Sequence, residues 1–191
     1  MTHSTQFIEI IPTKEQWEVA KKLTDEKQGQ LKEGHFKGSI EKGAGTPAGY
    51  LAQIISSIYC KGLNVDTYEY DIQTQEYRVD SKAKRQTVDY VLASFEASVT
   101  ADAAKQTGCD IYFFSRVNEN LNKVWLLGWL PKKTYLASAT LRRTGEKDPN
   151  DPTGIFVFKR DCWNLAYEKL NSPESFGELV KKSLWRYDDG E

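Results

Sequence analysis

Two apolar, aromatic runs of strand length constrain this chain most. Residues 110–117 and 123–130 are separated by Asn118-Glu119-Asn120-Leu121-Asn122, a polar link dense in turn formers. Runs of this length dominated by apolar and aromatic residues read as central strands covered on both faces. The two faces need covering layers, and the rest of the chain supplies them as helices.

Residues 14–32 place Trp17, Ala20 and Leu23 at helical spacing in a stretch rich in Glu, Lys, Gln and Ala, which predicts an amphipathic helix packed on the domain. In residues 51–59, Leu51, Ile54, Ile55 and Ile58 mark a second helix, with Gln53 off its apolar stripe. Residues 38–49 join the two as a glycine-rich connection without the Gly-Lys-Ser or Gly-Lys-Thr ending of a phosphate loop. Strands are expected at 66–72, 76–84 and 155–159. Residues 87–106 mix extended and helical features, with an alanine-rich helical second half. Pro131 suits the first turn of a short helix reaching Ala139. Residues 144–154 form a loop of turn formers and charge that could contact a substrate, residues 163–170 read as a helix, and a last helix begins at Pro173. The expectation is one α/β domain on a mixed, four- to five-stranded sheet flanked by helices. Its parts are an N-terminal helical extension (1–37), a core (38–170) and a C-terminal helix and tail (171–191).

The chemistry concentrates in the strands expected at 66–72 and 76–84. Side chains alternate faces along a strand, so Glu69 and Asp71 share one face of the first, and Arg78, Asp80 and Lys82 share one face of the second. A hairpin closed through residues 73–76, with Ile72 opposite Tyr77, sets Asp71 across from Arg78 and Glu69 across from Asp80. Three carboxylates and a lysine then occupy one surface. Carboxylates this close repel, and a divalent cation held by hard oxygen ligands would relieve them. Arg78 and Lys82 could equally serve as plain ion-pair partners on a solvated face.

The order of motifs around this hairpin resembles the PD-(D/E)xK nuclease superfamily, and within it small phage-encoded endonuclease-like proteins. The likeness runs from about Gly38 to Leu170. It takes in Ser39-Ile40-Glu41-Lys42-Gly43-Ala44-Gly45, Gly49-Tyr50-Leu51-Ala52-Gln53, the acid hairpin, Phe95-Glu96-Ala97-Ser98-Val99, residues 106–114 and Gly128-Trp129-Leu130. The resemblance implies a restriction-endonuclease-like core and metal-dependent hydrolysis of DNA. By the same likeness Asp71 and Asp80 would bind Mg2+ or Mn2+, the Ser81 carbonyl would be a further ligand, and Glu69 would stand in reserve. Lys82 would be the catalytic lysine, and Lys84 and Arg85 would contact nucleic acid. Similar proteins usually carry a glutamate where this chain has Gln53, a neutral residue that could still coordinate through its amide oxygen. That departure keeps open a second reading, a weak or inactive nuclease-fold protein that binds DNA or a host protein. A homodimer would explain paired cuts, and RNA shares the chemistry, because nothing here reads a 2′-hydroxyl.

The net charge of −1 argues mildly against a strong non-specific nucleic-acid binder, so the distribution of charge matters more than its sum. Basic pairs at Lys132-Lys133, Arg142-Arg143 and Lys181-Lys182 join Lys82, Lys84 and Arg85 as candidate phosphate contacts or solvated faces. Cys60, Cys109 and Cys162 are widely spaced and fit neither a zinc site nor a disulfide framework. His3 and His35 belong to no recognisable motif. No apolar run approaches the roughly 20 residues of a membrane span, and the polar N-terminus lacks a signal-peptide core. A soluble protein of the cytoplasm, a host cell's if phage-encoded, is expected.

Overall fold

Both apolar runs are strands, and they pair at the centre of the main sheet. The computed structural model describes residues 7–31, 47–65, 67–118, 120, 122–149 and 155–185. In chain order the elements are β1 (Ile8–Ile10), α1 (Lys14–Leu31), α2 (Pro47–Tyr59), β2 (Leu63–Asn64), β3 (Ile72–Gln73), β4 (Arg78–Gln86), β5 (Glu96–Thr100), α3 (Ala101–Gln106), β6 (Ile111–Asn118), β7 (Val124–Pro131), α4 (Lys132–Ser138), β8 (Thr140–Arg142), β9 (Cys162–Ala166), a 3-10 turn at Tyr167–Lys169 and α5 (Pro173–Trp185).

The protein is α/β, with a mixed six-stranded sheet in the order β1-β7-β6-β4-β3-β2 and a three-stranded sheet in the order β5-β9-β8. Among the described residues β4 and β6 run parallel and the other named pairs are antiparallel. Every residue of β6 is buried. Its alternate side chains feed two cores, as a strand covered on both faces must. Ile111, Phe113 and Val117 pack with Leu51, Ala52 and Ile55 of α2. Tyr112 and Phe114 pack with Ala97, Tyr135 and Leu165 on the side of the smaller sheet.

The ends of α1 and α4 follow local rules. Thr13 and Gln16 cap α1 reciprocally, Gln16 N–H donating to Thr13 Oγ1 at 3.3 Å and Thr13 N–H to Gln16 Oε1 at 2.9 Å. Pro131 ends β7 and stands at the cap of α4. In β7 the partner of Phe114 is Gly128 and that of Ser115 is Leu126, so Leu127 is an extra residue, a bulge.

Several expectations are corrected. Residues 163–170 form β9 and a 3-10 turn; the spacing of Trp163, Tyr167 and Leu170 suits a helix, but hydrogen bonding between β5 and β8 prevails. Residues 155–159 contribute one isolated bridge, Val157 to Lys147. The first acid strand shrinks to Ile72–Gln73, and residues 87–106 resolve into β5 and α3. The sheet has six strands because short β1 and β2 extend its edges. β1 brings the N-terminal segment into the main sheet, and Ala20 of α1 is buried in the core. Ile58 of the predicted stripe is exposed, while Gln53, Ser56 and Ser57 are buried. Cys60, Cys109 and Cys162 are free and buried. Among the described residues no helix is long and apolar enough to cross a membrane. His3, His35, Ser39 to Gly45, residues 150–154 and the side chains of Lys181 and Lys182 lie outside the described residues.

Candidate functional site

The turn at Thr74 sets the register of the acid hairpin. Thr74 N–H donates to the Tyr77 carbonyl at 3.0 Å, and its hydroxyl accepts from Tyr77 N–H at 3.0 Å, closing a loop around Gln75 and Glu76. Gln73 therefore faces Arg78 and Ile72 faces Val79. The expected pairing of Ile72 with Tyr77 is off by two residues. A slip of two leaves every side chain on its own face. Asp71, Asp80 and Lys82 thus stay together, and Asp71 moves from opposite Arg78 to beside Asp80.

The other two charged members leave the cluster. Glu69 precedes the strand and packs over Gly108, where an added Cβ would come within 2.7 Å of its Oε2. Arg78 is held by Asp110 through Nε to Oδ2 at 3.1 Å and Nη2 to Oδ1 at 2.9 Å. The face therefore holds two carboxylates and a lysine.

Those three groups are tightly coupled. Lys82 Nζ lies 2.8 Å from Asp80 Oδ2, with the lysine side chain 25% and the aspartate side chain 4% exposed. Asp80 Oδ2 is buried with the Lys82 ammonium as its close neighbour, and a side-chain hydrogen bond also couples Asp80 to Asp71. Asp71 Oδ2 accepts from Ser81 N–H at 2.8 Å. Burial, then the charge of Asp80, pushes the Asp71 carboxyl well above the usual carboxylate range, against the pull of Lys82 and Ser81 N–H. Burial alone would lower the Lys82 ammonium; Asp80 and then Asp71 outweigh it and hold the group above its ordinary value. Lys82 is therefore a cation at neutral pH.

A raised carboxyl has a definite consequence for stability. Between the unfolded value of about 3.9 and the higher folded value, the native state binds more protons at Asp71 than the unfolded chain does, so stability falls as pH rises through that window. Urea midpoints measured from pH 4 to 8 are expected to decline more steeply for the native protein than for Asp71→Asn. Equal slopes would mean that Asp71 titrates normally.

The donor set suits a divalent cation. Hard carboxylate oxygens and a carbonyl are the ligands that magnesium and manganese prefer. Val79 O accepts from Asp71 N–H, and Ser81 N–H faces the same edge of β4; the N–H and C=O of one residue point to the same side of a strand, so the Ser81 carbonyl is turned toward Asp71 as well. Asp80 Oδ2, now beside the Lys82 ammonium, is the oxygen of this group that a cation would share. Among the described residues no group of three or more His, Cys, Asp or Glu side chains is placed to hold a metal ion.

The remaining predicted residues are placed as follows. Gln53 is buried and donates to Asn64 Oδ1 at 2.8 Å, on the helix that covers the Val79 face of the sheet, opposite Asp80. Lys84 and Arg85 are exposed toward the end of β4, and alternation puts only Lys84 on the Lys82 side. Partial burial and neighbouring Arg116 pull the Lys84 ammonium below its ordinary value. Lys82 and Lys84 line a cavity of about 20 Å³ with Glu96, Ser98, Phe114 and Tyr167. That is room for one water with several polar partners.

Two neighbours of the site escaped sequence reasoning. Tyr112 is the parallel-strand partner of Asp80, and burial pushes its phenol up to about 12. Glu96 reaches the cavity from the smaller sheet. Both depend on long-range pairing that no local pattern reveals. Comparison with known proteins gave no matching family model and no matching curated sequence.

Proposed function

We propose that the protein is a metal-dependent nuclease of PD-(D/E)xK type, with a restriction-endonuclease-like core, that hydrolyses phosphodiester bonds in DNA. The observation that carries the reading is the convergence of two buried, mutually coupled carboxyls, Asp71 and Asp80, with Lys82 on one face at the β3–β4 edge. Asp71, Asp80 and the Ser81 carbonyl would hold Mg2+ or Mn2+, which supplies Lewis-acid polarisation of the phosphodiester and a more acidic bound water. Lys82, kept protonated by both carboxylates, donates to phosphate oxygens as charge develops and orients the attacking water rather than deprotonating it. Lys84, one step along the same face, contacts a neighbouring phosphate.

A second reading has its own support. Gln53 bonds to Asn64 instead of adding a ligand, and the Lys82 ammonium already compensates Asp80. A nuclease-fold protein that binds without cutting would retain both features. The test is incubation of the protein with supercoiled, linear, single-stranded and branched DNA, and with RNA, in Mg2+ or Mn2+. Metal-dependent DNA products support the nuclease, and coincident cuts in both strands would indicate a homodimer. Cleavage of RNA alone would change the substrate. DNA binding without any cutting would favour the second reading.

A further inference from the structure

We propose that the hairpin arm formed by residues 143–149 and 155–160 grips the phosphate backbone of duplex nucleic acid beside the candidate centre. This rests on the nuclease reading and adds the element that would hold the substrate. The arm is paired by Gly145 N–H to Phe158 O (2.8 Å), Phe158 N–H to Glu146 O (2.9 Å) and Asp148 N–H to Phe156 O (3.1 Å). Its base is pinned by Asp161, which accepts from Arg143 Nη1, Thr144 N–H and Thr144 Oγ1 at 2.8, 2.8 and 3.0 Å. The backbone bond from Thr144, then Arg143 and the Thr144 hydroxyl, hold the Asp161 carboxyl down at about 2, so the anchor persists at neutral pH.

Three observations point to nucleic acid. First, residues 142–161 carry five basic residues against four acidic ones, and Asp161 is taken up by Arg143 at the base of the arm. Lys147 and Lys159 are exposed and have no ion-pair partner among the described residues. Second, the arm springs from the sheet that borders the site: Arg142 of β8 pairs with Cys162 of β9, β9 pairs with β5, and Glu96 and Ser98 of β5 line one cavity with Lys82 and Lys84. Third, Ile155 and Phe156 are 80% and 46% exposed. Exposed apolar side chains on a basic hairpin suit an element whose cations take phosphates while its apolar residues enter a groove.

The test uses a fluorescein-labelled duplex of mixed sequence with Ca2+ in place of Mg2+, and anisotropy titrations from 0.05 to 0.3 M salt. Each phosphate contact contributes about 0.9 to the slope of log K against log salt. Lys147→Ala combined with Lys159→Ala should flatten that slope by about 1.8 and weaken binding roughly 10- to 60-fold at 0.1 M salt. Unchanged affinity and slope would overturn the arm's role while leaving the nuclease reading intact if the native protein still cuts. Arm-dependent binding with no cutting would overturn the nuclease reading and keep the arm. A preference for the single strand over the duplex, or no binding by the native protein, would overturn the proposal.

Discussion

Gly128→Ala is expected to destabilise the protein by about 3–5 kcal/mol, combining backbone strain with overpacking. Gly128 has φ +138°, a conformation in which a side chain is strained, and an added Cβ would stand 2.2 Å from the Asn171 carbonyl oxygen and 3.0 Å from Leu170 Cβ. The obstruction cannot swing aside. Asn171 is tied to the next residue of the strand by Trp129 N–H to Asn171 O at 3.1 Å and Asn171 N–H to Trp129 O at 3.0 Å. The Trp129 indole in turn donates to Ser175 Oγ at 3.0 Å, near the start of α5. The same glycine lies in the bulge where β7 shifts register against β6, so displacement would disturb the central pair. Urea denaturation supplies the measurement, with Gly177→Ala as contrast. Gly177 is helical and an added Cβ meets nothing within 4 Å, so alanine there should stabilise by about 0.4–1 kcal/mol. A Gly128→Ala midpoint equal to that of the native protein would mean that the bulge is more yielding than its contacts imply.

That bulge also marks where local reading of the sequence stops. The runs at 110–117 and 123–130 were legible as strands because burial on both faces leaves apolar and aromatic residues at most positions of each, on both alternating faces. Their bulge was not, since Gly128 alone does not say which residue is extra. The charged face of the hairpin was legible from alternation, yet its register was not. Both registers satisfy the period of two, and the choice lies with the Thr74 hydroxyl closing the turn. β9 was misread because Trp163, Tyr167 and Leu170 fall at helical spacing, whereas its conformation is fixed by partners far away in sequence. β1 and β8, at three residues each, are too short to show any period. Gln53 was placed off the apolar stripe of α2, but it is buried, because α2 covers the sheet and also packs against α1.

Lys82→Met should abolish metal-dependent cleavage, with a loss on the order of 10²–10⁴-fold if the lysine stabilises developing phosphate charge. It should also destabilise the metal-free protein by about 3–5 kcal/mol, because Asp80 would stay buried without its cation beside an already strained Asp71. The two effects separate the competing roles of the cluster. If Lys82 is only an ion-pair partner, adding Asp80→Asn to Lys82→Met removes the uncompensated charge and restores stability, and millimolar Mg2+ changes neither variant. If the carboxylates form a metal site, Mg2+ stabilises Lys82→Met by taking the place of the lost charge, and this response disappears in the double variant because Asp80 is no longer a carboxylate. Cleavage stays absent in both variants under the nuclease reading, since neither has the protonated lysine. Thermal melts with and without Mg2+, set beside single-turnover cleavage, therefore read the charge balance and the chemistry independently. Full cleavage by Lys82→Met would remove the lysine from the mechanism. An absent Mg2+ response would reduce Asp71, Asp80 and Lys82 to a buried structural triad.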